Sequence, residues 1–149
     1  MHTTTSSQLP RTARTPRPVW MVSATAALAA AAATEVYGLG ARAAGVPMAV
    51  AGIGASTATP ITVGMFAMGT LVCAFWGTLL AVALARFASH PARAYLWATL
   101  ILTGLSLAVP LTAQDTAIST KLVLAGGHIL AAAVIIPPVT RRLRVGSGG

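Results

Sequence analysis

The sequence predicts an all-α fold, a transmembrane four-helix bundle with both termini in the cytoplasm. Hydrophobic residues make up 56% of the 149 residues and charged residues only 8%, whereas about a quarter of an ordinary soluble domain is charged. The mean hydropathy is +0.78, and a chain of this length has room for about four spans of roughly 20 residues each. The basic residues cluster at the ends of the apolar segments, as in polytopic membrane proteins.

The N-terminal part is predicted to be a tail followed by the first span. Residues 1–18 are rich in Thr, Ser and Pro and carry several arginines, which predicts a disordered basic tail. The first span follows over about 19–40, with Trp20 at the membrane interface. A cleaved signal peptide is the alternative, but the apolar segment continues through Leu39, which is long for a signal-peptide core of roughly 7–15 residues.

The second span follows a long uncharged connection. The stretch from Arg42 to Pro60 is rich in Gly, Pro, Ser and Thr, and we expect a non-helical or re-entrant connection on the membrane surface. The second span is then predicted over about 61–85. Small side chains recur there at every fourth position and define a helix-packing stripe: Gly69, Cys73, Gly77, Ala81 and Ala85.

The helix-packing stripe predicts the close approach of another helix. In lipid, helices gain no hydrophobic drive by meeting, so small side chains favour association by allowing close van der Waals contact. The partner helix belongs either to the same chain or to a second copy, which would make the protein a homo-oligomer through its second helix. The alternative is that small residues recur at this interval by chance, because the chain is rich in Ala and Gly. Cys73 is the only cysteine, which excludes an internal disulfide.

The third and fourth spans are predicted over about 94–111 and 121–140. A short polar link joins Arg86 to Arg93 before the third span, and Thr116, Ser119 or Thr120 is expected to cap the fourth helix. Residues 143–149 are predicted to form a flexible C-terminal tail after the four-span domain of residues 19–142.

The arginines predict the orientation of the bundle. If the N-terminus is cytoplasmic, the opposite side receives only Arg42 and Lys121 among the basic residues next to the spans. The positive-inside rule therefore places both termini in the cytoplasm and the Arg42 to Pro60 connection outside. The predicted partners of this charge are anionic lipid headgroups. The predicted cytoplasmic anchors are Arg86, Arg93, Arg141, Arg142 and Arg144.

Two polar residues, Glu35 and His128, lie inside apolar segments. A carboxylate at the bilayer centre costs about 2.5–3.5 kcal/mol on insertion scales, so it usually faces a bundle interior, a cavity or a partner. Counted at about 1.5 Å per residue from Arg42 and Lys121, the two residues lie at nearly the same depth, which allows them to form an intramembrane polar pair. Two alternatives stay open: Glu35 snorkels to the interface on the face of Arg42, or the pair handles protons or a ligand.

Several function classes lack support in the sequence. A nucleic-acid protein would place its basic residues on a soluble face with interleaved aromatics, so no nucleic acid is expected. No cluster of metal ligands and no catalytic set of residues is visible, and we predict no metal, no cofactor and no enzymatic activity. A haem shared by two copies of His128 is the alternative.

Two local resemblances add to this interpretation. The string Ala33-Thr34-Glu35-Val36-Tyr37-Gly38 resembles the first-helix acidic motif of the small multidrug resistance transporters, although Glu35 comes late in its helix and the first loop is longer. A second set extends over about 19–142: Ala41 to Val46; Trp97, Ser106-Leu107 and Pro110; and Leu124, His128, Ala132, Ile136 and Pro137. It resembles an actinobacterial family of small four-helix membrane proteins without an assigned activity, and it implies topology but no chemistry.

The sequence thus predicts a multi-pass protein of a bacterial cell membrane that acts as a structural or interaction component. The competing class is a small transporter or channel subunit with a proton-coupled polar site at Glu35 and His128.

Overall fold

A computed structural model describes residues 17–52 and 54–146 as a bundle of four helices with one short hairpin. The helices α1, α2, α3 and α4 are Val19–Ala43, Met65–Phe87, Pro91–Thr112 and Ile118–Gly146, and the strands β1 and β2 are Ala49–Val50 and Thr59–Pro60. All four helices are long and apolar enough to cross a membrane, which confirms the prediction of an all-helical protein with four such helices. Residues 1–16 of the predicted tail, residue 53 and residues 147–149 lie outside the described residues.

The helix α2 begins later than the predicted span. Ile61 still belongs to the hairpin, since its N–H donates to the carbonyl of Met48 at 2.7 Å. Gly64 then takes a left-handed conformation with φ of 91°, which suits a residue without a Cβ, and the helix starts directly after it. The connection from Arg42 to Pro60 therefore includes the last turn of α1 and an antiparallel hairpin, in which Ala49 lies opposite Pro60.

The helix α4 extends beyond the predicted fourth span. It includes two prolines, Pro137 and Pro138, and continues through Gly146, into the segment that we predicted as a flexible tail. Leu143 explains the extension, because its side chain is buried at the end of the bundle, on the face that also buries Val139. At the start of α3, Pro91 occupies the first helical position, where its missing N–H costs no hydrogen bond.

The helix α1 is the most buried of the four helices. It packs extensively against both α2 and α4, and α3 packs mainly against α4. In the apolar window of α1, 33% of the residues are buried, against 11% for α3. Large apolar side chains such as Leu28, Phe75 and Leu105 are exposed on the outer faces, as expected for helices that contact lipid.

The two ends of the bundle differ in their contacts. The loop end comprises the hairpin, the end of α1, the start of α2 and the connection between α3 and α4. The arginine end comprises the start of α1, the end of α2, the start of α3 and the end of α4. Four buried side chains form the core there: Ala81, Tyr95, Val139 and Leu143.

Candidate functional site

Glu35 caps the start of α2 from the neighbouring helix α1. Its Oε1 accepts a hydrogen bond from the backbone N–H of Gly64 at 2.7 Å, and its Oε2 accepts one from Ala67 at 3.1 Å. The first N–H groups of a helix have no partner within the helix, and α2 has neither an acidic residue in its first turn nor a side-chain cap of its own. A carboxylate at this position satisfies two such groups and interacts favourably with the positive end of the helix dipole.

The ring of Phe66 lies between α1 and α4 next to this cap. A Cβ placed on Gly38 of α1 would come within 2.9 Å of one edge of the ring, and a Cβ on Gly127 of α4 within 3.2 Å of the other edge. The ring therefore occupies the space that two missing side chains leave. These two glycines allow α1, α2 and α4 to meet at the depth of the Glu35 cap.

A second aromatic contact lies beside the first. The hydroxyl group of Tyr37 lies where a Cβ of Gly126 would be, so α1 reaches α4 over this glycine as well. The adjacent pair Gly126 and Gly127 is the sequence signal for these contacts, because glycines inside an apolar helix often mark a close approach. We did not predict the roles of Phe66 and Tyr37 from the sequence.

His128 follows the glycine pair on α4 and is half-buried. Its Nδ1 donates to the carbonyl of Leu124 at 2.8 Å, one turn earlier in the same helix. Among the described residues, no hydrogen bond or ion pair joins Glu35 to His128. Glu35 and His128 therefore form two separate interactions in place of the predicted polar pair. The pair was predicted from the similar depth of the two residues in the membrane, and depth alone does not reveal the free N–H groups at the start of α2.

Arg42, which the snorkelling alternative placed on the same face as Glu35, binds a backbone carbonyl group. Its Nη2 donates to the carbonyl of Ile61, four residues before the start of α2, and so ties the last turn of α1 to the end of the hairpin. Glu35 and Arg42 thus hold the same short segment from two sides. The charged groups of α1 both bind backbone groups at the entrance to α2.

Hydroxyl groups continue the polar contact between α1 and α2 into the bundle. Thr34 and Thr70 share a hydrogen bond of 2.9 Å, and Ser23 and Thr78 share one of 2.7 Å nearer the arginine end. Interhelical hydrogen bonds of this kind favour association in lipid. Together with Glu35, they place polar contacts at three levels along the α1–α2 interface.

The helix-packing stripe does not lie on one buried face. Gly69, Cys73 and Ala85 are exposed, Gly77 is half-buried and only Ala81 is fully buried. Residues four apart advance by about 40° beyond a full turn, so a line of five residues winds around the helix. Thr70 and Thr78, whose hydroxyl groups bond to α1, lie on a face of α2 that is offset from the stripe.

Hydrogen bonds connect the hairpin region to the residues at the start of α4. Asp115 accepts a hydrogen bond from the N–H of Ala58 at 3.0 Å, and Thr116 accepts one from the N–H of Ala51 at 3.1 Å. Thr120, one of the predicted caps of α4, instead donates to the carbonyl of Pro47. The chain's two acidic side chains, Glu35 and Asp115, therefore both accept backbone N–H groups at the loop end.

The predicted anchors Arg86, Arg93, Arg141, Arg142 and Arg144 all lie at the arginine end. Arg142 donates to the carbonyl of Arg17, which links the end of α4 to the start of α1. Among residues 17–52 and 54–146, no group of three or more His, Cys, Asp or Glu side chains has the geometry of a metal site.

Comparison with known proteins identifies the family of this chain. Residues 14–145 match the model of DUF6069, a family of unknown function, in agreement with the predicted resemblance to an uncharacterised family. Neither the curated proteins nor the solved structures contain a significant match to the chain.

Proposed function

The chain belongs to this family of unknown function, and we propose that it is a structural or interaction component of a cell membrane, with no enzymatic activity. In this proposal the polar residues within the spans hold the helices together and do not carry a substrate or a proton. Four apolar helices in a chain from an uncharacterised family suggest a membrane protein. A bacterial, actinobacterial origin is part of the same proposal.

The Glu35 cap is the observation that carries the proposal. A carboxylate that exchanges protons or ions during transport needs access to water or substrate. Both oxygens of Glu35 accept backbone hydrogen bonds from α2, and His128 binds its own helix. These contacts favour a structural role for Glu35 over the competing proton-coupled transporter, and the resemblance to small multidrug resistance transporters gains no support from them.

The proposed topology places both termini in the cytoplasm. The clustering of the anchors at one end supports this orientation through the positive-inside rule, with the hairpin on the outside and anionic headgroups as partners at the arginine end. The exposed Gly69 and Cys73 leave open space on α2, which supports a homo-oligomer through this helix.

Cysteine accessibility tests the proposal. In a Cys73→Ala background, single cysteines replace Ala31, which is buried one turn before Glu35, Ser56 in the exposed hairpin loop, or Ser89 in the exposed link before α3. Each variant is treated in intact cells and in permeabilised cells with a membrane-impermeant maleimide. We expect Ser56→Cys to react in both, Ser89→Cys only after permeabilisation and Ala31→Cys in neither.

Two outcomes contradict separate parts of the proposal. Reaction of Ala31→Cys at a rate close to that of Ser56→Cys would indicate a water-filled path beside Glu35 and would favour the transporter. Reaction of Ser89→Cys in intact cells, with protection of Ser56→Cys, would reverse the orientation.

A further inference from the structure

A basic pocket of about 370 Å³ lies at the arginine end between the start of α3 and the end of α4. Arg93 comes from the first turns of α3 and Arg144 from the last turn of α4, so two arginines line the pocket from different helices. His90, directly before α3, is a third lining residue. The remaining wall is apolar and consists of Ala92 and Leu96.

No Asp or Glu side chain of the described residues lies near this pocket. The chain has only two Asp and Glu residues, and both lie at the opposite end of the bundle, where they bind backbone N–H groups. No carboxylate side chain of the same chain is therefore in position to neutralise Arg93. A guanidinium group at a membrane interface pairs most readily with a phosphate oxygen, which it binds through two parallel hydrogen bonds.

The surroundings of the pocket suit a lipid. Trp97 lies one turn after Arg93 and is 58% exposed, as is typical of an aromatic residue at the boundary between headgroups and acyl chains. Beyond it, Leu100 and Ile101 are exposed along α3, the least buried of the four helices. A molecule with its phosphate at Arg93 would find an apolar surface for its chains on the same helix.

We propose that this pocket, with Arg93 and Arg144 as its principal ligands, binds the phosphate of an anionic phospholipid headgroup. The inference rests on the part of the proposed function that places the bundle in a bilayer. It is independent of the orientation and of the role of Glu35, because both leaflets supply phospholipids. A diffuse attraction of the arginine end to a negative surface is the alternative, and it would involve the neighbouring anchors equally.

Quenching of Trp97 fluorescence tests the site. Trp20→Phe and Trp76→Phe substitutions leave Trp97 as the only tryptophan, and the full-length protein is placed in phosphatidylcholine vesicles. Brominated phosphatidylglycerol or brominated phosphatidylcholine is added at equal fractions, and the relative binding of the two lipids beside Trp97 is measured. We expect a preference of about fivefold or more for phosphatidylglycerol, from about 1 kcal/mol per arginine near the surface.

Substitutions locate the preference. Arg93→Gln and Arg144→Gln are each expected to reduce it severalfold, whereas Arg93→Lys, which keeps the charge, retains a larger share. Arg141→Gln is the matched control, since it removes one exposed arginine at the same end that does not line the pocket. Circular dichroism of every variant verifies that the helices are intact, and Arg93→Lys and Arg144→Gln remain informative if Arg93→Gln does not fold.

Three results would overturn the assignment. One is equal quenching by the two lipids in the protein with all its arginines. Another is an Arg141→Gln variant that loses as much preference as Arg93→Gln, which would indicate a diffuse charge effect. The last is loss of the preference on addition of inorganic phosphate, with chloride at the same ionic strength as the control, because the pocket would then take the free ion.

Discussion

The loop end and the arginine end hold the same four helices together by different interactions. At the loop end, Glu35 and Asp115 bind backbone N–H groups, and Phe66 lies in the space left by two glycines. At the arginine end, Tyr95 and Leu143 belong to an apolar core, and five predicted anchor arginines lie at the same end. Backbone polar groups become free where a helix begins and a loop turns, and such groups need partners near a bilayer. The loop end meets this need with side chains from other elements.

The largest expected effect comes from removing the cap. Glu35→Ala leaves two backbone N–H groups of α2 without their acceptor, and we expect a loss of about 3 kcal/mol in the free energy of unfolding. Glu35→Gln keeps one acceptor oxygen and should lose about half as much. Titration with sodium dodecyl sulphate in mixed micelles, followed by circular dichroism, measures both values.

Asp115→Ala is the matched control for the cap. It removes the chain's other carboxylate, which accepts one hydrogen bond at an exposed position. Its loss should stay below about 1 kcal/mol, because water replaces the missing partner. Equal losses for Glu35→Ala and Asp115→Ala would remove the distinction between an intramembrane cap and a surface contact.

Truncation of the apolar core should have the next largest effect. Leu143 is 2% exposed, and Leu143→Ala is expected to cost about 2 kcal/mol, at the lower end for core leucines, because lipid offers little transfer free energy to lose. Leu105→Ala on the exposed face of α3 is the control and should change the free energy of unfolding little. A larger loss for Leu105→Ala would place a protein contact on that face.

The contact of Phe66 with Gly38 predicts that alanine substitutions at two glycines of α1 change the free energy of unfolding in different ways. Gly38→Ala forces the Phe66 ring towards Gly127 and is expected to cost about 1–2 kcal/mol. Gly40→Ala meets no atom within 4 Å and should be neutral or stabilising, since alanine favours helix. A second substitution, Phe66→Leu, should restore part of the stability of Gly38→Ala. Without such rescue, the ring is not the cause of the loss.

The smallest effect is expected from the hydroxyl pair of Thr34 and Thr70. Side-chain hydrogen bonds between membrane helices contribute about 0.6 kcal/mol on average, so the coupling measured with Thr34→Val and Thr70→Val should be of that size. Thr25→Val is the control, because its hydroxyl binds only carbonyls of its own helix. Coupling between Thr25→Val and Thr70→Val as strong as that of the pair would count against a direct contact.

The apolar periods of the sequence were sufficient to predict four helices, because a span needs about 20 uncharged residues whatever its neighbours are. Glu35 was also recognised as a residue that needs a partner. Its partner could not be predicted, because the donors to the carboxylate are the backbone N–H groups of Gly64 and Ala67, which carry no side-chain signal. Most of the stripe on α2 does not face another helix of the same chain, because it is offset from the face that carries Thr70 and Thr78. Packing of the stripe against a second copy stays a prediction.

Glu35 caps α2 and forms no hydrogen bond to His128 among the described residues. A double-mutant cycle with Glu35→Ala, His128→Ala and the combined variant measures the coupling free energy between the two side chains by titration in mixed micelles. Residues that share neither a hydrogen bond nor a partner have additive effects, so we predict a coupling below about 0.5 kcal/mol alongside a large loss for Glu35→Ala alone. A coupling above about 1 kcal/mol would contradict the cap and restore the intramembrane pair.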